Sequence, residues 1–190
     1  MRCILCEKLS FKAICKSCVD KLLSENKKSR ILDNNLKVYS FFSYSSIAPI
    51  LHVKHHFWGH RVLNQIAKHT FGEFAKSFNF EDKVAAIGID DVSQNGYSHT
   101  AILAKALKSS SITPVYRALR ATNKVKYSGQ SYDFRRKHPR NFSVCLKGVE
   151  YVILVDDVVT SGLTLKEASE CLKKEGIDVL FALTLADAKE

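Results

Sequence analysis

Residues 151–164 read YVILVDDVVTSGLT, and this string carries the most specific chemistry in the chain. An apolar strand runs into two adjacent acids, a short Thr/Ser/Gly loop and the start of a helix. Backbone N–H groups converge at a helix N-terminus. Thr160, Ser161, Gly162, Leu163 and Thr164, with three hydroxyls among them, therefore form a cradle suited to a phosphate. Gly162 permits close backbone approach and backbone angles that a side chain forbids. Asp156 and Asp157, followed by Val158 and Val159, stand at the strand's carboxyl end, where carboxylates can accept hydrogen bonds from vicinal sugar hydroxyls. Phosphate donors beside hydroxyl acceptors describe a ribose 5-phosphate site spanning 156–164. Neither GxxxxGK nor GxGxxG occurs, which excludes the Walker A and dinucleotide patterns. A bare polar turn with helix caps explains Thr160 or Ser161 singly, but not the whole string.

A second constellation is Cys3-x2-Cys6-x8-Cys15-x2-Cys18, four of the six cysteines. So short a segment buries too little surface to fold alone, and a tetrahedral zinc ion on four thiolates would supply the missing energy. A redox dithiol, disulfides and an iron–sulfur cluster compete with this reading. A redox CxxC usually stands alone, and a cytosolic compartment keeps structural thiols reduced, which favours zinc. With cysteine at all four positions the site is structural, not catalytic. Cys145, in an expected strand, and Cys171, in an expected helix, read as small buried residues.

The chain's net charge of +10 is concentrated. Residues 101–147 carry 11 basic residues against one acid, whereas 148–190 are net acidic. Arg117, Arg120, Lys124, Lys126, Arg135, Arg136, Lys137 and Arg140 alternate with Tyr116, Tyr127, Tyr132, Phe134 and Phe142. Cations that neutralise phosphates and rings that stack on unpaired bases are what a single-stranded nucleic acid requires. A solvated loop whose aromatics anchor it to the core is the competing reading.

The elements that must position these groups come from periodicity. Composition is that of a globular chain, 46% apolar and 25% charged over 190 residues, which excludes wholesale disorder. After the cysteines, 20–30 is helix-prone and closes in a polar linker, Ser24 to Ser29. Residues 36–44 are strand-like, and 46–54 contain Pro49. From 61 to 78, Leu63, Ile66, Ala67, Phe71, Phe74 and Phe78 predict one helical face. Ten of the 19 aromatics lie between 39 and 80, as in a cap packed on a larger core. His55 and His56 beside Trp58 lack spaced ligand partners and read as surface or core residues. Strands at 84–89, 112–116, 151–155 and 179–185 alternate with helices at 98–108 and 163–174, the last closed by Gly176. Continuous apolar strands between helices argue a mostly parallel sheet covered on both faces. Residues 120–141 show no core periodicity and read as a long functional loop or lid. No apolar run reaches the roughly 18–20 residues that span a bilayer, and no signal peptide opens the chain, so a soluble cytoplasmic protein is expected.

The 151–164 string resembles the phosphoribosyl pyrophosphate motif of type I phosphoribosyltransferases, an apolar strand with two acids and T-S-G-x-T. More narrowly, nearly the whole chain resembles the ComF family of competence proteins, which place a four-cysteine zinc module before such a domain. The four cysteines match. Tyr44 and Lys54 fall at the family's tyrosine and L-K step. GIDDVSQNGYSHTAILAKAL (88–107) aligns with its P-V-P…R-G-F-N-Q element, with Gly88-Ile89-Asp90 and Asn95-Gly96-Tyr97-Ser98-His99 at the divergent positions. Gln130, Arg135 or Arg136, and Asn141 with Phe142 echo its Q…R…N-x-x-x-F stretch.

The resemblance implies an α/β fold of the type I phosphoribosyltransferase class, a mostly parallel sheet with helices on both faces plus a hood. Residues 1–30 would be the zinc module and 31–190 the phosphoribosyltransferase-like domain, with 31–80 the hood and 84–190 the core. Asp90, Asp91, Gly96 and Tyr97 would form the pyrophosphate loop, and the two acids there require Mg²⁺ between them and pyrophosphate. It implies a competence protein of natural transformation that handles incoming single-stranded DNA in the cytoplasm and binds phosphoribosyl pyrophosphate. Its implied partners are a competence helicase or the inner-membrane DNA channel, which would make it peripheral at the inner face of the membrane. The alternatives are an active phosphoribosyltransferase of nucleotide metabolism that releases pyrophosphate, and an interaction adaptor with a vestigial pocket. Such a transfer relies on positioning and Mg²⁺, so no catalytic side chain is singled out.

Overall fold

The computed structural model describes residues 1–25, 27–89, 96–123 and 129–189. In chain order the elements are α1 (Lys16–Leu23), β1 (Lys28–Ile31), β2 (Lys37–Ser43), α2 (Tyr44–Val53), α3 (Gly59–His69), α4 (Phe71–Ser77), β3 (Val84–Gly88), α5 (His99–Ala106), β4 (Ile112–Val115), β5 (Leu119–Ala121), α6 (Tyr132–Lys137), β6 (Phe142–Val144), β7 (Tyr151–Val159), α7 (Leu163–Lys174) and β8 (Asp178–Asp187). Six strands form one sheet in the order β1-β2-β8-β7-β3-β4, and β5 pairs with β6 in a separate ribbon. Every pairing from β2 to β4 is parallel, and only the edge strand β1 is antiparallel.

Alternation along the strands sorts the core into two layers. Val84, Ala86, Ile153, Val155, Leu183 and Leu185 join a cluster with Ile47 and Ile50 of α2, Leu63 and Ile66 of α3, Phe71 of α4 and Leu103 of α5. Ala85, Ile87, Val152, Leu154 and Ala182 point the other way, onto Leu165, Ala168 and Leu172 of α7. The result is a mixed α/β fold with a mostly parallel sheet and helices on both faces, as expected. Cys3, Ala13, Ile14, Val19 and Leu22 of the amino-terminal segment belong to the first cluster.

Four expectations change. The helix foreseen over 61–78 breaks at buried Thr70, whose hydroxyl turns back to the Ile66 carbonyl at 2.8 Å, leaving α3 and α4. The end of the foreseen linker, from Lys28 on, is strand β1, paired through Lys28–Ser40 to Ile31–Lys37. The supposedly structureless 120–141 contains α6, started by Ser131, whose hydroxyl accepts the Phe134 amide at 3.2 Å. Cys145 is exposed, one residue past β6, and so is not a buried core residue. Cys171 is half-buried on α7, its thiol 3.1 Å from the Phe142 carbonyl. Among the described residues no helix is long and apolar enough to cross a membrane.

Candidate functional site

The sheet order contains a switch point. From β3 the chain moves outward to β4, then returns to place β7 on β3's other side. The carboxyl ends of β3 and β7 thus flank a switch point, the position at which parallel sheets generally bind ligands. Asp156, Asp157, Val158 and Val159 are the last four residues of β7, which continues past its apolar run because Asp156, Val158 and Val159 still pair with Thr184, Ala186 and Asp187 of β8. Thr160 to Gly162 form the turn, and Leu163 and Thr164 open α7. Gly162 has φ +83°, and a Cβ there would meet Leu32 Cδ2 at 2.6 Å, so the turn depends on glycine twice over. Asp156, Val158, Val159, Thr160, Ser161, Gly162 and Thr164 line one small concavity, which brings the acid at the strand end to the helix N-terminus.

Burial, and then the charge of Asp157, push the Asp156 carboxyl up to about 8. Its Oδ1 accepts the Asp157 amide at 2.8 Å. Asp157 is ion-paired to Lys54 from the end of α2. Around Lys54 lies a cluster that sequence spacing could not reveal. His99, the first residue of α5, hydrogen-bonds the Lys54 carbonyl through Nε2 at 2.7 Å, and the Tyr97 hydroxyl donates to the carbonyls of Lys54 and His56. The His55 and His99 rings are 5.4 Å apart, and those of Tyr97 and His99 are 5.2 Å apart. Burial holds both His55 and His99 below the usual imidazole range; the Lys54 charge adds to this at His55, while Asp157 opposes it at His99. Charge is thus disfavoured on both imidazoles, while the cations Lys54 and Arg140 both act on the Asp156 carboxyl.

Two arginines reach Thr160. Arg30 of β1 donates to its carbonyl and is ion-paired to buried Asp187 at 3.1 Å. Arg135 of α6 donates from Nη1 to the Thr160 hydroxyl at 2.8 Å and from Nε to the Gln130 carbonyl at 3.1 Å. The Glu167 carboxylate on α7 accepts the amides of Arg140 and Asn141 at 3.0 and 2.6 Å. The basic segment is thus clasped onto the β7–α7 element at both its helix and its far end. Of the expected nucleic-acid residues, Arg117, Arg120, Arg136 and Lys137 are exposed, whereas Arg135 and Arg140 are half-buried at the clasp. Lys124 and Lys126 lie outside the described residues, as do Asp90 and Asp91 of the expected pyrophosphate loop. Gly96 adopts φ +89°, and Tyr97 points to the Lys54 cluster.

At the amino end the sulfurs of Cys3, Cys6, Cys15 and Cys18 all lie within 4.8 Å of one another. Cys6 and Cys15 Sγ are 3.7 Å apart. A tetrahedral Zn–S bond of about 2.3 Å implies a sulfur separation of about 3.8 Å, so the cluster could hold such an ion. The Cys15 amide donates to Cys3 Sγ at 3.3 Å. Burial raises the Cys3 thiol, but hydrogen bonds from backbone amides outweigh it and bring Cys3 down to about 6. Burial and the neighbouring sulfurs push Cys18 up to about 12. Gln65 of α3 docks the module by accepting the Ile14 amide at 3.0 Å and donating to the Ile14 carbonyl at 2.6 Å.

No protein-family model and no curated protein matches the sequence. Solved structures with a similar fold include the orotate phosphoribosyltransferase from Aeropyrum pernix, at 20% identity and TM-score 0.43, covering 92% of this chain and 81% of that one. The adenine phosphoribosyltransferase from Rhodothermus marinus is 17% identical with TM-score 0.45, covering 90% and 86% of the two chains. The adenine phosphoribosyltransferase from Leishmania tarentolae is 13% identical with TM-score 0.45, covering 90% and 87%.

Proposed function

We propose that this chain is a ComF-like competence protein that binds phosphoribosyl pyrophosphate with Mg²⁺ across 156–164 and single-stranded DNA on its basic segment. In this reading Cys3, Cys6, Cys15 and Cys18 hold structural zinc in a module of residues 1–30. Residues 31–190 form the phosphoribosyltransferase-like domain, and Gly96 and Tyr97 flank the pyrophosphate side. The protein acts in the cytoplasm, beside a competence helicase or the inner-membrane DNA channel. The observation that carries the reading is the 2.8 Å contact from Arg135 to the Thr160 hydroxyl, because it joins the basic, aromatic segment to the phosphate cradle. A phosphate seated at Thr160 would compete with that hydroxyl for the guanidinium, so the two ligands would affect one another's affinity reciprocally.

The test is a titration of a fluorescent oligonucleotide with and without phosphoribosyl pyrophosphate and Mg²⁺. DNA affinity should fall steeply with salt and should shift when the small ligand is present. Arg136→Ala with Lys137→Ala should weaken DNA binding and leave the small ligand unaffected. Binding indifferent to salt would refute the electrostatic account. A second reading, phosphoribosyl transfer, is favoured by Lys54, an ammonium at the acid pair that could accompany a departing pyrophosphate. It predicts base-dependent pyrophosphate release that Asp157→Ala abolishes. An absence of release with all common bases and amines would leave a binding protein.

A further inference from the structure

A groove of about 410 Å³ separates the four-thiol module from α3. Its walls include Phe11 and Lys12 on one side and Arg61, Lys68 and His69 on the other; no acidic residue is among the described residues that line it. The Phe11 ring is fully exposed, and Lys12, Arg61 and Lys68 are exposed as well. Arg61 and Lys68 are seven residues apart on α3, about 10.5 Å along the axis and on the same face. The two walls are fixed to each other by the paired Gln65–Ile14 hydrogen bonds, so the groove is preformed.

We infer that this groove is a second seat for single-stranded nucleic acid, with Phe11 the ring on which an unpaired base stacks and Lys12, Arg61 and Lys68 the cations that follow its phosphates. The inference rests on the single-strand reading above and extends it to a surface that the basic segment does not supply. An aromatic ring wholly in solvent gains nothing from the protein's own core, but it offers a face to a base. A concave channel with cations on both walls fits a polyanionic strand; a bilayer would meet a flat or convex apolar face. An acidic peptide would satisfy the cations and leave the ring unused.

The test uses the full chain loaded with zinc and a fluorescein-labelled dT20 oligonucleotide, with anisotropy read over a salt series. Phe11→Ala should weaken binding about tenfold with an unchanged salt slope. Arg61→Gln with Lys68→Gln should lower the slope by about 1.4, the share of two phosphate contacts on a single strand. Both changes are at exposed side chains, and thermal unfolding of each variant checks that the fold is kept. The proposal is overturned if dT20 binds the unaltered chain but both groove variants stay within twofold of it. It is overturned equally if poly-glutamate or anionic lipid vesicles displace dT20 as well as unlabelled dT20 does at equal charge. If the unaltered chain binds no oligonucleotide at any salt, the single-strand reading itself fails and this inference goes with it.

Discussion

Gly162→Ala isolates the geometry of the turn between β7 and α7. The residue has φ +83°, and its new Cβ would lie 2.6 Å from Leu32 Cδ2, 2.9 Å from Cδ1 and 3.3 Å from Cγ. The left-handed backbone alone costs a non-glycine residue about 1–2 kcal/mol. The crowding of buried Leu32 adds an overpacking penalty of about 1–3 kcal/mol. The two effects together give a loss of roughly 2–5 kcal/mol, or a Tm lowered by about 4–20 °C in a chain of this size. Leu32→Ala alone should cost about 2–4 kcal/mol as a buried truncation. In the double variant the collision disappears but the backbone strain remains. It should therefore be about 1–3 kcal/mol more stable than the sum of the singles predicts, which is the steric share. Urea unfolding of the four proteins measures this. Calorimetry with phosphoribosyl pyrophosphate and Mg²⁺ should show affinity reduced at least about tenfold in both proteins carrying Gly162→Ala, since the cradle amides stay displaced. If the energies add within about 0.5 kcal/mol, the Leu32 contact is wrong. A Gly162→Ala protein as stable as its parent would refute the left-handed turn.

Elemental analysis should find about one zinc per chain, and iron in its place would overturn the zinc assignment. Gln65→Ala should retain the metal yet lower stability by about 1–3 kcal/mol in urea, because the Ile14 amide and carbonyl lose their buried partners. The folded pKa of Asp156, near 8, lies above the roughly 3.9 of an unfolded chain, so the folded state holds the extra proton between those values. Stability should therefore fall as pH rises from about 4 to about 8, and Asp156→Asn should flatten that slope in urea midpoints measured across the range. Glu167→Ala should release the amides of Arg140 and Asn141, and limited proteolysis should then cut faster within 129–141; unchanged cleavage would show that the clasp does not order the segment.

Much of the sheet was legible because Val84 to Gly88 and the first half of β7 are uninterrupted apolar runs, and Ile112 and Val115 bracket a short, mostly β-branched stretch. Helix α7 was legible from Leu165, Ala168 and Leu172 along its buried face and Gly176 just past its end. The ends of β7 and β8 were not, because Asp156, Asp157 and Asp187 lie in them and a polar residue gives no strand signal even where its backbone is paired. Helix α2 contains Pro49, which local propensity counts against a helix; Ile47, Ile50 and Leu51, buried beneath it, outweigh that preference. In α6 no residue is buried, so it leaves no apolar period; its one local mark is the Ser131 cap. The 156–164 loop was readable because its parts are contiguous. Lys54, His99 and Arg30 were not assigned to the site, since each reaches it only through tertiary folding, Lys54 across 103 residues and Arg30 across 130. Histidines 55 and 56 are exposed, and the ring contact of His55 with His99 joins the turn after α2 to the first residue of α5, a proximity that sequence spacing does not encode.

The parallel pairing of β2 with β8 has a consequence for how the protein is made. Residues 38–43 join the sheet only through 182–187, so nearly the whole chain must be synthesised before that half of the sheet can close. Closing so long a loop is entropically slow, and an unpaired strand edge invites association with other chains in the meantime. The four-cysteine segment meets α3 through Gln65 and Ile14, a contact whose two partners both lie within residues 3–69 and so does not wait for β8. It would hold the amino-terminal segment in place while the ribosome finishes β8, and the Arg30–Asp187 ion pair would then be among the last contacts to form. On this order of events the 160–162 turn, which Arg30 braces at Thr160, becomes complete only when the two ends of the described chain have met.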